Sequence, residues 1–531
     1  MAEDELKNPF IKPPDQVPNH LDPDLVMVAL GKYARYQIFS VVMTSYSWYI
    51  YAVETLLLAF IADIPPFLCE TNENSTSISR HSLWNESVPE FPSNCTLQHI
   101  DHGHIDCGEH GTGFSFDPEF GHTLASEWVL VCDTAHYTQL GASIFMIGGI
   151  VATLFVSQLS DKFGRRWVFL ISAWTTALLS FLTALSPNYT TFIVIRFLMG
   201  LACVGINTVA WVFSCEVVSP GFRMFMPILA NLIWTVSYIL VGVMAMLMPN
   251  WRTLSWVSAL PMFITIAFYW LLPESLYWLV AHQKTAEVDQ WIEQASRRNG
   301  VKVDVKKCLT VKTEDAGIAT RNLLHAFRSK VLIFHMIGFS FCGFSASMVY
   351  WGLSLFSTKI AENRFTGFIL SGLIEFPAGL LGPFLLKWIG RRTLGFWSFM
   401  VTGVSLIALL FLPAGTPKVI ETCLALAGKF GNMLVWSSTW LLVPEVLPTT
   451  VRNASFGFIA TLSKIGSVIA PYAGIMGEID ARLPPALFSI LSFMAAALHF
   501  CFPETKDKEL PEDIDDTDPG PLLSLFIKKK R

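Results

Sequence analysis

Long apolar runs, separated by short polar segments, set narrow limits on the fold of this 531-residue sequence. Six runs precede residue 274, at 36–61, 137–156, 167–185, 192–213, 225–248 and 256–272. Six more follow, at 331–355, 365–386, 393–412, 419–443, 454–476 and 483–502. A helix needs roughly 20 apolar residues to cross a bilayer. The sequence therefore predicts an all-α integral membrane protein with twelve transmembrane helices.

The distribution of Lys and Arg predicts the side of the membrane on which each connection lies. Residues 62–135 contain a single basic residue, Arg80, whereas residues 274–330 contain ten. Because cytoplasmic loops carry the excess of Lys and Arg, we expect a multi-pass protein with both termini in the cytoplasm. The expected segments are 1–35, a cytoplasmic N-terminal segment; 36–273, a six-helix half with an outer loop at 62–135; 274–330, a cytoplasmic linker; 331–503, a second six-helix half; and 504–531, a cytoplasmic tail.

The outer loop carries features of an extracellular segment. The loop contains four cysteines, Cys69, Cys95, Cys107 and Cys132. It also contains three acceptor sites for N-glycosylation, at Asn74, Asn85 and Asn94. An even number of cysteines in an oxidising compartment predicts two disulfides, and three pairings remain open. In the linker, Val288, Trp291, Ile292 and Ala295 recur at helical spacing between Thr285, a candidate N-cap, and Gly300, a stop signal. This spacing predicts an amphipathic helix packed under the bundle.

Three sequence marks recur in the same order in the two halves. Gly164-Arg165-Arg166 returns as Gly390-Arg391-Arg392, 226 residues later. Glu216 with Arg223 returns as Glu445 with Arg452, offset by 229, and Pro-Glu-Ser at 273–275 returns as Pro-Glu-Thr at 503–505, offset by 230. A repeat of this kind predicts two six-helix halves around a central cavity, the architecture of a transporter.

The connection at 157–166 resembles the signature of the major facilitator superfamily. In such a turn Gly164 permits a tight bend, Asp161 can sit at a neighbouring helix N-terminus, and Arg165 can pair with Glu216. The resemblance implies a cytoplasmic gate formed by Asp161, Gly164, Arg165, Arg166, Glu216, Arg223, Gly390, Arg391, Arg392, Glu445 and Arg452. The alternative is that these arginines serve membrane topology alone. Two departures from the signature stand out: Ser157 replaces its leading glycine, and Lys387 occupies the second-half place of Asp161.

Further strings resemble the organic ion transporter family, which comprises organic cation, carnitine and organic anion transporters. They include residues 63–66, 375–378, 445–453 and 503–506, and the large outer loop fits the same family. Leu276-Tyr277 departs from the Pro-Arg that the family often has there. The resemblance implies a transporter of small organic ions that is not an enzyme, and it assigns Arg196 a structural role. No loop for ATP binding and no motif for metal catalysis is visible in the sequence.

Charged and aromatic residues within the apolar runs are the candidate substrate or coupling sites, because charge at the bilayer centre is costly. The charged candidates are Lys464, Glu375, Lys429 and Glu54, and the aromatic ones are Tyr350, Trp351, Trp211, Trp234, Tyr238 and Trp436. An alternative for the charged residues is mutual pairing, for example of Glu375 with Lys464.

Lys464 aligns with the position at which the organic ion family discriminates substrate charge. The resemblance implies an acidic residue there in cation transporters and a basic one in anion and carnitine transporters. We therefore expect zwitterions or organic anions as substrates, with an organic cation transporter and a non-transporting, receptor-like protein as the alternatives. The expected partners are the substrate and the bilayer, without nucleic acid, metal or cofactor. Sodium or proton coupling and the oligomeric state stay open.

Overall fold

The computed structural model describes residues 20–31, 34–70, 96–99, 103–106, 113–223, 225–310, 323–359, 361–413 and 415–526. Within these ranges, eleven helical segments are long and apolar enough to cross a membrane. They coincide with the second to twelfth apolar runs of the sequence, and most extend them by a few residues at each end.

The first half comprises α1 (Pro23–Leu30), α2 (Arg35–Leu56), α3 (Leu58–Ile61), α4 (Leu124–Trp128), α5 (His136–Phe163), α6 (Arg165–Thr183), α7 (Tyr189–Glu216), α8 (Pro220–Arg223), α9 (Met226–Leu247), α10 (Trp251–Ala259) and α11 (Phe268–Leu271). The linker contributes α12 (Leu276–Ala281), α13 (Thr285–Asn299) and α14 (Leu323–Ala326). The second half comprises α15 (Lys330–Leu355), α16 (Arg364–Leu373), α17 (Glu375–Ile389), α18 (Arg391–Ala408), α19 (Lys418–Val446), α20 (Arg452–Ile469), α21 (Ala473–Ile479), α22 (Leu483–Cys501) and α23 (Gly520–Phe526).

The helix α2 covers the first predicted span but is less apolar than the other eleven segments. It buries Ser40, Thr44, Ser47, Glu54 and Thr55 inside the bundle, where it packs against α7 and α9. A helix surrounded by protein does not need a continuous apolar surface, because its polar side chains find hydrogen-bond partners there. With α2 counted, the described segments give twelve in the order that the sequence predicts.

Each half packs in the same internal order. In the first half α5 and α6 pack against α7, and in the second half the equivalent helices α17 and α18 pack against α19. The halves meet through α5 with α20 and through α9 with α16 and α17. We call the end of the bundle that carries residues 62–70 and 113–135 the loop face, and the opposite end, which carries residues 164, 274, 390 and 504, the terminal face.

A small layer covers the terminal face of the first half. The predicted linker helix is α13, which buries Val288, Trp291, Ile292 and Ala295 in a cluster with Val26 and Met27 of α1 and with Leu276 and Leu279 of α12. Strand β1 (His20–Leu21) pairs with the later strand Leu309–Thr310. The candidate N-cap was misplaced by one residue, since Lys284 precedes the helix and Thr285 is its first residue. Gly300 ends the helix in the left-handed conformation, with φ of 68°.

Short strands contribute to the described part of the loop face. Strand β2 (Phe67–Glu70) pairs with β5 (Gly113–Phe116), and β3 (Thr96–His99) pairs with β4 (Gly103–Asp106). The strand Leu309–Thr310 of the linker, which pairs with β1 at the terminal face, is β6. Cys132 is disulfide-bonded. Cys95, Cys107 and the acceptor sites at Asn74, Asn85 and Asn94 lie outside the described residues, as does the side chain of Cys69. The pairing of the cysteines and the glycosylation therefore stay predictions.

Replacing Cys132 with serine is expected to reduce delivery to the cell surface more than it reduces turnover per delivered molecule. Cys132 begins the short turn that leads directly into α5, and removing a disulfide typically costs about 2–5 kcal/mol of stability. Surface biotinylation and uptake per surface molecule measure the two effects. Replacing the exposed free thiol Cys423 with serine is the control. Normal delivery of the Cys132 variant would contradict the prediction.

Candidate functional site

A buried ion pair lies between the halves, near the middle of the bundle. Lys429 Nζ lies 2.9 Å from Glu375 Oε1, and the two side chains are 1% and 0% exposed. The packing of α17 against α19 brings these residues together. Mutual pairing, the alternative considered for the charged candidates, is thus what the structure shows for Glu375, but its partner is Lys429. Lys464, the partner given as the example, lies on α20, which packs mainly against α15 and α5.

Neutral side chains from both halves complete the surroundings of this pair. Trp234 Nε1 donates to Glu375 Oε2 at 2.8 Å, and the Tyr350 hydroxyl donates to Glu375 Oε1 at 3.0 Å. Lys429 donates to Ser371 Oγ at 2.6 Å and to the Tyr238 hydroxyl at 3.2 Å. Trp234 and Tyr238 belong to the first half, so the network also connects the two halves. The sequence offered no signal for Ser371, one of many serines in apolar runs.

Lys464 occupies a different environment, on the side of α20 that faces the first half. Ser463 and Gly466 of α20 lie against α15, where they approach Gly343 and Phe344. Lys464 lies one turn before Val468, whose carbonyl accepts a 2.6 Å hydrogen bond from Ser143 of α5. Lys464 is half-buried, and among the described residues no carboxylate lies within ion-pair distance of it.

An open stretch of α20 lies between Lys464 and the terminal face. Gly457 lies two turns before Lys464 on α20, on the same side of the helix. A methyl group added at Gly457 would meet no atom within 4 Å. Lys464 itself is a half-buried ammonium group, without an acidic neighbour in the part of the chain that the structure describes.

Aromatic rings from both halves cluster beside the buried ion pair. Trp234 contacts Trp48, Tyr51 and Trp351, with ring centroids 6.3, 5.6 and 6.3 Å apart. On the other side, Tyr350 contacts Trp351 at 5.2 Å and Trp436 at 6.0 Å. Trp211 joins the cluster through Trp48, at 6.4 Å.

Trp48 and Tyr51 were absent from the sequence candidates. They stand three residues apart on α2, a spacing that places them on one side of a helix. That spacing was a signal which could have been used, although Tyr46 and Tyr49 show the same spacing and instead stack on each other, with ring centroids 5.1 Å apart. The aromatic surface therefore comes from more helices than the sequence suggested.

Glu54 is paired within the first half. Its Oε2 lies 3.4 Å from Arg196 Nη1, and both side chains are buried. Arg196 also donates to the Glu54 carbonyl at 3.0 Å and lies 4.7 Å from the centre of the Phe145 ring. These contacts hold α2, α5 and α7 together. They give Glu54 a packing role in this conformation, and they fit the structural role that the family resemblance implies for Arg196.

An ion cluster joins the ends of three helices at the terminal face of the first half. Arg165 Nη1 lies 2.6 Å from Asp161 Oδ1, and Arg165 Nε lies 3.2 Å from Glu216 Oε2. Ser275 donates to the same Glu216 oxygen at 2.6 Å. The side chain of Arg166 turns away and donates to the Tyr269 carbonyl. Only Arg165 therefore links the carboxylates of Asp161 and Glu216.

The anion at the N-terminus of α6 is Glu274, not Asp161. Glu274 Oε1 accepts from the backbone N–H of Arg166 at 3.0 Å. Asp161 lies instead in the last turn of α5, and its side chain is 64% exposed. Gly164 adopts φ of 101° because the chain turns sharply between α5 and α6. This turn directs the first backbone N–H groups of α6 toward Glu274, where the helix dipole favours a negative charge.

The second half repeats this geometry with one carboxylate fewer. Arg391 Nε lies 3.2 Å from Glu445 Oε2, and Glu504 accepts from the Arg391 backbone N–H at 2.9 Å. Gly390 adopts φ of 95°, and Arg392 donates to the Phe502 carbonyl at 3.5 Å. Lys387 stands where the first half has Asp161, so Arg391 has no acid at that place.

The two half-buried carboxylates that cap α6 and α18, Glu274 and Glu504, differ in their electrostatics. Burial raises the pKa of Glu274, and its backbone hydrogen bonds only partly offset the effect. Burial also acts to raise the pKa of Glu504, but the backbone N–H groups of Arg391, Lys506 and Thr393 outweigh it and lower that pKa. The cap of the second half is thus the more firmly ionised of the two.

The remaining gate candidates, Arg223 and Arg452, lie beside the ion clusters without joining their carboxylates. Arg223 Nη2 lies 2.8 Å from Asp24 of α1, and Arg223 also donates to the Tyr277 hydroxyl. Tyr277, one of the departures from the family pattern, donates in turn to Asp24. Arg452 Nε donates to the Leu447 carbonyl at 3.0 Å. Arg223 therefore ties α1 and the linker to the first half.

Arg364 links the two halves at the loop face, and it was absent from the candidates that the sequence suggested. Its guanidinium donates to the Phe120 carbonyl at 2.7 Å and lies 3.9 Å from Asp63 Oδ2. It also lies 3.7 Å from the centre of the Phe120 ring. Nearby, Phe60 stacks on Phe365 with ring centroids 5.6 Å apart. These contacts close the loop face in this conformation. An arginine flanking an apolar run is common enough that its position alone carried no signal.

Comparison with known proteins gives the same family for most of the chain. Residues 38–515 match the model of the sugar (and other) transporter family. A solute carrier family 22 member 15-like protein of Xenopus laevis is 31% identical over 399 residues, which cover 74% of this chain and 81% of that protein. An organic cation transporter protein of Drosophila melanogaster is 29% identical over 522 residues, covering 93% of this chain and 94% of that protein. Solute carrier family 22 member 6-A of Xenopus laevis is 27% identical and covers 92% of each chain.

Solved structures agree in fold. The xylose transporter XylE from E. coli, in a partially occluded inward open conformation, superimposes with a TM-score of 0.61 at 14% identity, over 90% of this chain and all of that chain. This likeness confirms the predicted major facilitator fold, which is a fold of transporters and not of enzymes. The chain belongs to the sugar (and other) transporter family and, within it, to solute carrier family 22.

Proposed function

We propose that this protein is an alternating-access transporter of small organic ions in the plasma membrane, and that it favours zwitterions or organic anions. The observation that carries this proposal is the contrast between two basic residues. Lys429 is buried against Glu375, whereas Lys464 is half-buried and has no acidic partner among the described residues. The ammonium group of Lys464 therefore stays available for a substrate carboxylate.

The energetics favour a negative group at Lys464. At a separation of 4 Å and an effective dielectric constant of ~20, two opposite unit charges attract by about 4 kcal/mol. A bare organic cation would be repelled to a similar extent. The carboxylate of Glu375 does not reverse this preference, because it already accepts bonds from Lys429, Trp234 and Tyr350.

The aromatic cluster supports a second contact, with a cationic group of the substrate. The rings of Trp48, Tyr51, Trp234, Trp351 and Trp436 lie in one connected set, and aromatic faces attract quaternary ammonium groups. A carnitine-like zwitterion would place its carboxylate at Lys464 and its ammonium group against these rings. The same cluster, with the name of the Drosophila relative, supports an organic cation transporter as the second candidate.

The gate and the orientation complete the proposal. We assign the gating role to the ion clusters of Arg165 and Arg391 at the terminal face, which we place in the cytoplasm because the basic residues of the linker lie on that side. Arg364 and the rings of Phe60 and Phe365 form the opposing closure at the loop face. Both sets of contacts are formed in this conformation, so each must open in turn for a substrate to cross.

Replacing Lys464 is the test of the charge preference. In proteoliposomes or vesicles, Lys464→Ala is expected to lower uptake of benzoate or carnitine about tenfold, and Lys464→Asp is expected to lower it further and to admit tetraethylammonium. A tenfold change corresponds to about 1.4 kcal/mol. Lys418→Ala serves as the control, because Lys418 is an exposed residue that pairs with Glu421.

Two results would overturn the proposal. If the unmodified protein carries only simple cations and Lys464→Ala changes nothing, the charge assignment is wrong. If it binds probes in a thermal-shift assay but accumulates none of them in vesicles, the protein is the receptor-like alternative.

A further inference from the structure

The buried Glu375–Lys429 pair has a role other than direct binding of the substrate. We infer that this pair is a neutral unit, closed to the substrate in this conformation, which leaves Lys464 as the charge that selects the substrate. The inference rests on the proposed function and deepens it. It makes Glu375 and Lys429 positioning residues for charge selectivity, not substrate contacts.

Hydrogen bonding within the pair is saturated. An ammonium group has three donors, and those of Lys429 are taken by Glu375, Ser371 and Tyr238. Both oxygens of Glu375 accept bonds, Oε1 from Lys429 and Oε2 from Trp234, and the single hydroxyl proton of Tyr350 lies within reach of both. With side chains 1% and 0% exposed, neither residue offers a free group to a ligand.

The charges of the region follow from this arrangement. Trp234, Tyr238, Tyr350 and Ser371, which surround the pair, are neutral side chains, and Glu54 is paired separately with Arg196. Glu375 and Lys429 cancel, so of the four charged candidates within the spans, Lys464 is the one that the described residues leave without a counter-charge. Removing Lys429 would expose an unbalanced carboxylate, and removing Glu375 would add a second unbalanced ammonium. An unbalanced buried charge is strongly unfavourable, so a substrate of opposite charge would be favoured in each case.

The test is a double-mutant cycle on charge selectivity, measured as the ratio of benzoate or carnitine uptake to tetraethylammonium uptake per surface molecule. Lys429→Met should lower this ratio about tenfold at alkaline pH, and Glu375→Gln should raise it about tenfold, the change expected when one member of a buried pair is removed. The double variant Glu375→Gln with Lys429→Met should return to within about threefold of the original ratio, because the net charge is restored.

The double variant also guards against a failure to fold, since it buries no charge. The charge swap, Glu375→Lys with Lys429→Glu, is a second restored variant and should keep the original ratio. Single variants that shift the ratio in the same direction would overturn the inference, as would a well-delivered double variant that does not restore it. Lys464 is unchanged in all of these variants, so a failure of this inference can be distinguished from a failure of the charge preference that the Lys464 variants test.

Discussion

Replacing Arg165 with alanine is expected to lower uptake about a hundredfold while leaving the amount of protein at the surface largely unchanged. Arg165 bonds the carboxylates of Asp161 and Glu216. The contact with the half-buried Glu216 contributes about 1.5–3 kcal/mol, and the contact with the exposed Asp161 adds at most about 1 kcal/mol. Their sum is comparable to the roughly 2.7 kcal/mol that corresponds to a hundredfold change in an equilibrium. Since the cluster holds the ends of α5, α6 and α7, its loss shifts the equilibrium between the transport states.

The second half provides the matched comparison. Arg391→Ala removes the corresponding arginine, but Arg391 bonds only the carboxylate of Glu445 because Lys387 replaces the second acid. We expect a smaller loss of uptake, about tenfold, since one charged contact is removed instead of two. Arg297→Ala, at an exposed pair with Glu293 on α13, should change nothing. Normal uptake velocity for Arg165→Ala at normal surface density would show that the cluster serves topology alone.

Replacing Gly164 with alanine should have the largest effect on folding. Gly164 has φ of 101° and ψ of 151°, a conformation that is essentially restricted to glycine and costs other residues about 1–3 kcal/mol. A Cβ atom there would also lie 2.4 Å from Glu274 Oε2. Glu274 would have to leave the N-terminus of α6, and losing a helix cap costs about 1 kcal/mol more.

We therefore expect Gly164→Ala to lower the thermal midpoint of the purified protein by several degrees and to abolish most of its delivery to the cell surface. Gly300→Ala is the matched control, because Gly300 also has positive φ, of 68°, but a Cβ atom there would meet no atom within 4 Å. Its cost is the conformational one alone. Equal stability losses for the two variants would mean that the contact with Glu274 is unimportant.

The sequence by itself determined the membrane architecture of this protein. The spans follow from the length and apolar composition of the runs, since helix rise fixes the number of residues that cross a bilayer. The repeated marks around Gly164 and Gly390 predicted two equivalent halves, and the pairing of Arg165 with Glu216 followed from the same marks. These features depend on neighbouring residues or on a repeated pattern, so they can be read along the chain.

Only the tertiary structure decided which charges meet between helices. Glu375, Lys429 and Lys464 were equivalent candidates in the sequence, because each is a charge within an apolar run. The packing of α17 on α19 joins Glu375 to Lys429, while Lys464, on α20, remains without an acid among the described residues. The choice depends on helix rotation and on which helices are neighbours, and these are fixed by contacts between residues far apart in the chain. The same reason explains why Glu274 caps α6 in place of Asp161, and why Arg364 closes the loop face.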